Sequence, residues 1–239
     1  MTFKEFLLEK ILDKVSGISE PKILDLGSGR SKNVLEILTK HPNVHYTGVE
    51  PSKVDADFAS ALFKQYNKVK IINQLGYQSV AGAGEFDVCV SLSVLEHVKD
   101  LEAFLVNSAK SVKSGGVIVH LYDLGHSLHQ SSLKERIQVF LSNHFIKILP
   151  ESKIARYIDL DFVTQIMKEN GCLRQEITYH QMPSYKHFFN IFKLDNPEKQ
   201  ALAEEIYEWE FKISKYLSEI DRAKREDFFP SVCLWFVKQ

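Results

Sequence analysis

The sequence predicts an α/β fold: a doubly wound, mostly parallel sheet of seven strands, with helices on both faces and helical insertions that form a lid. Three observations carry this expectation. Short β-type runs alternate with segments of helical period from residue 22 to residue 121. A glycine turn, Gly27-Ser28-Gly29, separates the first strand from the helix after it. The 239 residues, 44% of them apolar, suffice for one large core. A compact chain of this length has a radius of gyration of ~18 Å, which suits one domain with insertions better than two.

Taken in order, residues 2 to 16 place Phe3, Phe6, Leu7, Ile11, Leu12 and Val15 on one helical stripe, closed by Gly17 and Pro21. Lys22 to Leu26 reads as the first strand, and helical spacing resumes from Asn33 to Leu38. Val44 to Val49 is the second strand, residues 54 to 66 a helix, Val69 to Ile72 the third strand and Phe86 to Leu92 the fourth. Leu101 to Val112 returns to helical spacing, and Gly115-Gly116 opens a fifth strand, Val117 to Leu121. The rhythm then breaks at an inserted stretch of about residues 124–158. Asp161 to Asn170 is a helix capped by Gly171, followed by a strand near Leu173 to His180. A second insertion, about 184–228, contains one long helix from Pro197 to Arg225, with Leu202, Ile206, Trp209, Ile213, Tyr216, Leu217 and Ile220 as its apolar stripe. That stripe is either packed on the sheet or the surface of a homodimer. Ser231 to Val237 closes the chain as a strand expected to run antiparallel.

Composition narrows the function classes. Lys and Arg number 30 against 31 Asp and Glu, so no global field draws in nucleic acid or an anionic membrane. Charges interrupt every early apolar stretch, no run approaches the ~20 apolar residues of a membrane span, and no leader segment is expected. Cys89, Cys172 and Cys233 lack metal-type or redox spacing and read as core fillers in a reducing cytoplasm.

The chemistry begins at Ile23-Leu24-Asp25-Leu26-Gly27-Ser28-Gly29, where a strand ends and missing side chains let a ligand reach backbone N–H groups at a helix terminus. Glu50 closes the second strand, where a carboxylate can accept from both hydroxyls of a ribose. These features imply a nucleoside-containing cofactor. A dinucleotide fingerprint needs a small residue five positions after its first glycine, and this chain has Lys32 there. Asp25 would repel a pyrophosphate and tolerate a cation, so a sulfonium cofactor fits better than a nicotinamide one.

Leu24-Asp25-Leu26-Gly27-Ser28-Gly29, Glu50, Phe86-Asp87-Val88, Leu95-Glu96-His97-Val98 and Ser114-Gly115-Gly116 together resemble the motifs of class I S-adenosylmethionine-dependent methyltransferases, over about residues 20 to 122. The resemblance implies a Rossmann-like methyltransferase fold with S-adenosylmethionine as cofactor and S-adenosylhomocysteine as product. It assigns Asp25, Gly27, Ser28 and Gly29 to the methionine side, Glu50 to the ribose, and Ser91 and Leu92 to the cofactor wall. Leu75 and Gly76 fall near the adenine, without the acid many relatives carry there, and Ser31 replaces a third loop glycine. Glu96-His97 is expected to brace the loop after the fourth strand; a metal role seen in some relatives would need another acid at Ser93, and no metal is expected.

An activated methyl leaves the protein chiefly to align a nucleophile, and a hydroxyl nucleophile must also lose a proton. His120, His126, His129, His144, His180 and His187 lie where a base is wanted. Asp123 and His126, just beyond the fifth strand, are the catalytic candidates, against the blander readings of a helix cap and an exposed loop residue. With His129 they would make an incomplete metal set. Phe140, Phe145, Tyr185, Phe188, Phe189 and Phe192 either wall an acceptor pocket or, for most, pack the lid. The expected activity is O-methylation of a small polar acceptor such as a sugar or glycan precursor. The rivals are an inactive scaffold or partner subunit on the same fold and a nicotinamide-dependent oxidoreductase.

Overall fold

The computed structural model describes residues 2–78, 83–124, 133–146, 148–149, 153–182, 185, 188, 191, 193 and 195–239, with the backbone alone at 134, 135, 143 and 218. Seven strands form one sheet in the order β3-β2-β1-β4-β5-β7-β6. They are β1 (Lys22–Leu26), β2 (His45–Val49), β3 (Val69–Ile72), β4 (Phe86–Leu92), β5 (Val112–Asp123), β6 (Cys172–His180) and β7 (Ser231–Lys238). The described helices are α1 (Phe3–Lys14), α2 (Lys32–Lys40), α3 (Lys53–Leu62), α4 (Leu101–Ser111), α5 (Leu133–Phe145), α6 (Leu160–Glu169), α7 (Pro197–Ser214) and α8 (Arg222–Phe228). Neighbouring strands run parallel except β7, which is antiparallel to both β5 and β6. The expected doubly wound sheet with one reversed strand is what forms.

Alternation along the central strands divides the core into two layers, because successive side chains leave opposite faces of a strand. Leu24, Cys89, Ile118, Tyr122, Leu234 and Phe236 join α4 and α6 on one face. Ile23, Val88, Val90, Val119, Leu121, Cys233 and Trp235 join α1, α2 and α7 on the other. Phe3, Phe6, Leu7, Ile11, Leu12 and Val15, the predicted stripe of α1, are all buried there. The helix starts with a capping box in which Thr2 and Glu5 satisfy one another's backbone N–H groups. All three cysteines are buried and free.

Three expectations need correction. β5 starts at Val112, not Val117: Val112 pairs with Phe86, a register shift follows, and the strand continues through Gly115, which sits at φ +80°. The long helix predicted from Pro197 to Arg225 is broken into α7, a 3₁₀ turn at Leu217–Glu219, and α8. Ser214 ends α7 by donating to Glu210 O and accepting from Tyr179 N–H, and Asp221 starts α8 by capping the Ala223 and Lys224 N–H groups. The buried face of α7 is Ala203, Tyr207, Glu210 and Ser214; Leu202, Trp209, Tyr216 and Ile220 of the predicted stripe are exposed. Tyr207 and Phe211 pack against Phe3, Phe6 and Trp235, so this stretch of the second insertion is a layer of the sandwich. No helix among the described residues is long and apolar enough to cross a membrane.

Candidate cofactor and acceptor site

The turn after β1 is held by the end of β2. Gly27 and Ser28 both donate their N–H groups to Val49 O, at 2.8 and 3.0 Å. Gly27 adopts φ +82°, and a Cβ there would stand 2.6 Å from Val94 Cγ2, so both the backbone conformation and the close approach require glycine. Ser31 also takes a left-handed conformation, φ +51°, at the start of α2. The position where relatives have a third glycine therefore does need a positive φ, and serine bears the strain here.

Glu50 is nearly buried at the end of β2 and binds this turn together. Its Oε2 accepts from Gly29 N–H and its Oε1 from Ser52 N–H, both at 2.8 Å. These bonds fix the carboxylate on the wall of a cavity of about 640 Å³, lined also by Gly27, Pro51, Ser52, Asp55, Leu75, Gly76, Tyr77, Val94, His97 and Phe104. Such a volume suits a cofactor-sized ligand. Gly76 lies close against Phe104, where a Cβ would come within 2.5 Å of the ring, and Asn107 Nδ2 donates to Gly76 O at 2.7 Å.

The remaining predicted cofactor residues sit off this wall. Asp25 is buried, with one carboxylate oxygen accepting from Tyr46 OH at 2.7 Å and Oδ1 without a hydrogen-bond partner. Burial pushes its carboxyl up to about 6, against the lowering effect of the Tyr46 bond. Ser91 lies inside the sheet, hydrogen-bonded to His120 Nδ1 at 2.8 Å. Leu92 packs into the α1-side core while its carbonyl accepts from Lys4 Nζ at 2.8 Å.

Beyond β4 a 3₁₀ turn, Leu95–His97, carries the two residues expected to brace the loop. Glu96 is fully buried, and its Oε1 accepts the Asp123 N–H at 3.2 Å. Its carbonyl accepts Arg156 N–H, also at 3.2 Å, and His97 Nδ1 bonds Ile154 O at 2.6 Å. The pair thus ties the exits of β4 and β5 to the end of the first insertion. Burial raises the Glu96 carboxyl to about 7, partly countered by the charge of His97.

Asp123 stands at the last position of β5, nearly buried beside Glu96. Its proposed partner His126, with His129 and His187, lies outside the described residues. His120 is no base: it is fully buried between Ser91 and Ser108, and burial holds its ring down to about 3. His180 is likewise enclosed, bonded to Thr178 Oγ1 and facing Glu210. His144 bonds the carbonyl of Phe140 within its own helix. Phe140, Phe145 and Phe188 are exposed, Tyr185 is half-buried, and Phe189 and Phe192 lie outside the described residues.

A second cavity of about 640 Å³ adjoins the first, sharing Tyr77, and is lined by Lys99, Asp100, Leu101, Glu102, Ile146, Arg156, Tyr157, Asp159 and Phe162. Sequence reasoning missed Tyr77, Arg156, Tyr157 and Phe162. Tyr77, Arg156 and Tyr157 are isolated side chains in a loop or insertion and Phe162 is an exposed position in the first turn of α6, and the packing of residues 154–156 onto the Leu95–His97 turn carries Arg156 and Tyr157 to this wall.

A family model described as a methyltransferase domain matches residues 3–173. The ubiquinone biosynthesis O-methyltransferase of Rickettsia canadensis is 28% identical over 116 residues, 48% of each chain. The present chain spans about half the length of such curated relatives. Among solved structures, phosphoethanolamine N-methyltransferase 2 of Haemonchus contortus, in complex with S-adenosylmethionine, superimposes with a TM-score of 0.64 at 16% identity, covering 98% of this chain and 52% of that one. Geranyl diphosphate C-methyltransferase of Streptomyces coelicolor gives 0.63 at 12% identity, covering 98% and 77%. At these identities the structural matches speak for the fold.

Proposed function

Since the chain belongs to the methyltransferase domain family, whose class I members use S-adenosylmethionine, we propose that it transfers a methyl group from S-adenosylmethionine to a hydroxyl of a small ring-bearing acceptor. The observation that carries this reading is the pair of adjoining cavities at the carboxyl end of the parallel strands, where ligands of such sheets bind. The residues of the first cavity fit the cofactor: Glu50 offers carboxylate oxygens for ribose hydroxyls, Gly27 keeps the wall open, and Leu75, Gly76 and Phe104 give an apolar bed for adenine. Asp25, with a buried and unpartnered oxygen, supplies negative potential beneath the loop. Ser28 and Gly29 shape the turn, while Ser91 bonds His120 and Leu92 packs in the α1-side core.

When bound, the cofactor supplies a methyl carbon already activated by positive sulfur. The chain's own residues then have two tasks. Tyr77, Tyr157 and Phe162 hold the acceptor ring in the second cavity, and alignment of this kind can contribute about 7–11 kcal/mol. Asp123, assisted by His126, takes the hydroxyl proton, while Glu96 holds the Asp123 backbone in place. Residues 154–156 are fastened to the β4 exit by Arg156 N–H to Glu96 O and to α5 by Ala155 N–H to Ser142 Oγ.

Relatives named for ubiquinone biosynthesis favour a phenolic hydroxyl. A sugar is the second reading, favoured by Asp100, Glu102 and Asp159 on the acceptor wall, which can accept from sugar hydroxyls. The test is calorimetric titration with S-adenosylhomocysteine, with NAD as control, followed by mass-spectrometric detection of methylated catechols and sugars. Micromolar binding and a methylated product are expected. Binding without product across the panel would leave the inactive scaffold, and NAD binding in place of S-adenosylhomocysteine would leave the oxidoreductase.

A further inference from the structure

Arg156 has the two N–H groups of one edge of its guanidinium, at Nε and Nη2, buried and without a hydrogen-bond partner among the described residues. These are the groups whose N–H bonds run side by side, the arrangement that grips a carboxylate or phosphate through two oxygens at once. The side chain lines the acceptor cavity together with Lys99. Arg225 also has a buried Nε without a partner, but its Nη1 donates to Leu217 O and its guanidinium lies over the Tyr179 ring. Arg156 has no such engagement of its free edge.

The backbone beneath this group is held at three successive residues. Ile154 O meets His97 Nδ1, Ala155 N–H donates to Ser142 Oγ, and Arg156 N–H donates to Glu96 O. His97 itself lines the neighbouring cavity, so the backbone that carries the guanidinium is tied to that cavity's wall. The acids on the same wall make no hydrogen bond to that edge, although the charge of Asp100 acts on the guanidinium. Asp100 Oδ1 accepts from Ala103 N–H at the start of α4, Asp159 Oδ1 accepts from Asp161 N–H at the start of α6, and Glu102 is exposed.

We propose that Arg156 recognises an anionic group, a carboxylate or a phosphate, carried by the methyl acceptor in the cavity that adjoins the cofactor cavity at Tyr77. The proposal rests on reading the neighbouring cavity as the cofactor site. The paired N–H groups hold the anion, Lys99 adds positive potential, and the aromatic wall receives the rest of the ring. A neutral analogue of the same shape leaves the guanidinium edge unpaired in a buried place, which is how a polar pocket rejects it.

The test uses the full chain saturated with S-adenosylhomocysteine and titrated with benzoate, phenyl phosphate and neutral benzamide. Benzoate or phenyl phosphate should bind at least tenfold more tightly than benzamide, and whichever is preferred identifies the anion. Arg156→Gln should abolish that preference and Arg156→Lys should retain part of it, with S-adenosylhomocysteine affinity unchanged in both. Equal binding of the three probes, no binding of either anion to the wild type, or an anion preference that survives Arg156→Gln would overturn the proposal. Failure of S-adenosylhomocysteine to bind the wild type would instead overturn the reading of the cofactor cavity.

Discussion

The buried carboxylate of Glu96 accepts the backbone N–H of Asp123 at 3.2 Å, joining the exits of two adjacent parallel strands at the point where the candidate base stands. A neutral carboxyl tolerates such burial far better than a carboxylate, because desolvation penalises the charge. The consequence is a pH signature.

Glu96 titrates at about 7 in the folded chain against an ordinary 4.5, so the unfolded chain gives up this proton first as pH rises. Its contribution to stability is full below 4.5 and is lost between 4.5 and about 7, a fall of about 3 kcal/mol. Asp25 acts with the same sign between 3.8 and about 6. Glu96→Gln should therefore flatten the decline in unfolding free energy from pH 4.5 to 7, measured by urea denaturation at a series of pH values. An unchanged slope would show that Glu96 is not the group responsible.

Glu50 spends each carboxylate oxygen on a backbone N–H, at Gly29 and at Ser52. Glu50→Ala strands both donors and removes the proposed ribose partner. Stability should drop by about 1–3 kcal/mol. The affinity for S-adenosylhomocysteine should fall at least about tenfold, which is ~1.4 kcal/mol. Thermal unfolding and calorimetry read the two effects separately.

Gly27→Ala forces a Cβ to within 2.6 Å of Val94 at a positive φ. The expected cost is about 1–3 kcal/mol, from overpacking and backbone strain together. Val94→Ala should recover the packing part alone, so a double-mutant cycle should return a favourable coupling between positions 27 and 94. Simple additivity of the two changes would contradict the contact.

Asp123→Asn keeps the shape of the β5 exit and removes the proposed proton acceptor. Turnover of a hydroxyl acceptor should fall by about 10²–10⁴-fold, while S-adenosylhomocysteine binding stays as in the wild type. Full turnover in the variant would move the base to another residue.

Much of the site was legible along the chain because its cofactor half is local. Gly27 and Gly29 follow β1 directly, Glu50 follows β2, and Leu75-Gly76 follows β3. Parallel strands wound in this order bring their carboxyl ends to one edge of the sheet, so residues just after each strand converge without help from distant packing. Asp25 at the end of β1 and Ser91 and Leu92 at the end of β4 leave the cavity wall, since strand alternation and neighbouring side chains decide which face each occupies. The acceptor half was less legible. Arg156 is held at its cavity by bonds of residues 154 and 156 to His97 and Glu96, about 60 positions away in sequence, and of Ala155 to Ser142 in the same insertion.

By itself the sequence determined the sheet and its cofactor edge. Hydrophobic period, glycine turns and terminal acids act over a few residues and already specify which segments become strands and where each strand ends. Tertiary structure alone decided that α7 ends at Ser214, that it buries Ala203, Tyr207 and Glu210 in place of Leu202 and Trp209, and that Arg156 lines a cavity with its paired N–H groups unmet. Those outcomes depend on which surfaces meet, and a buried polar group is set by the partners that long-range packing brings or withholds.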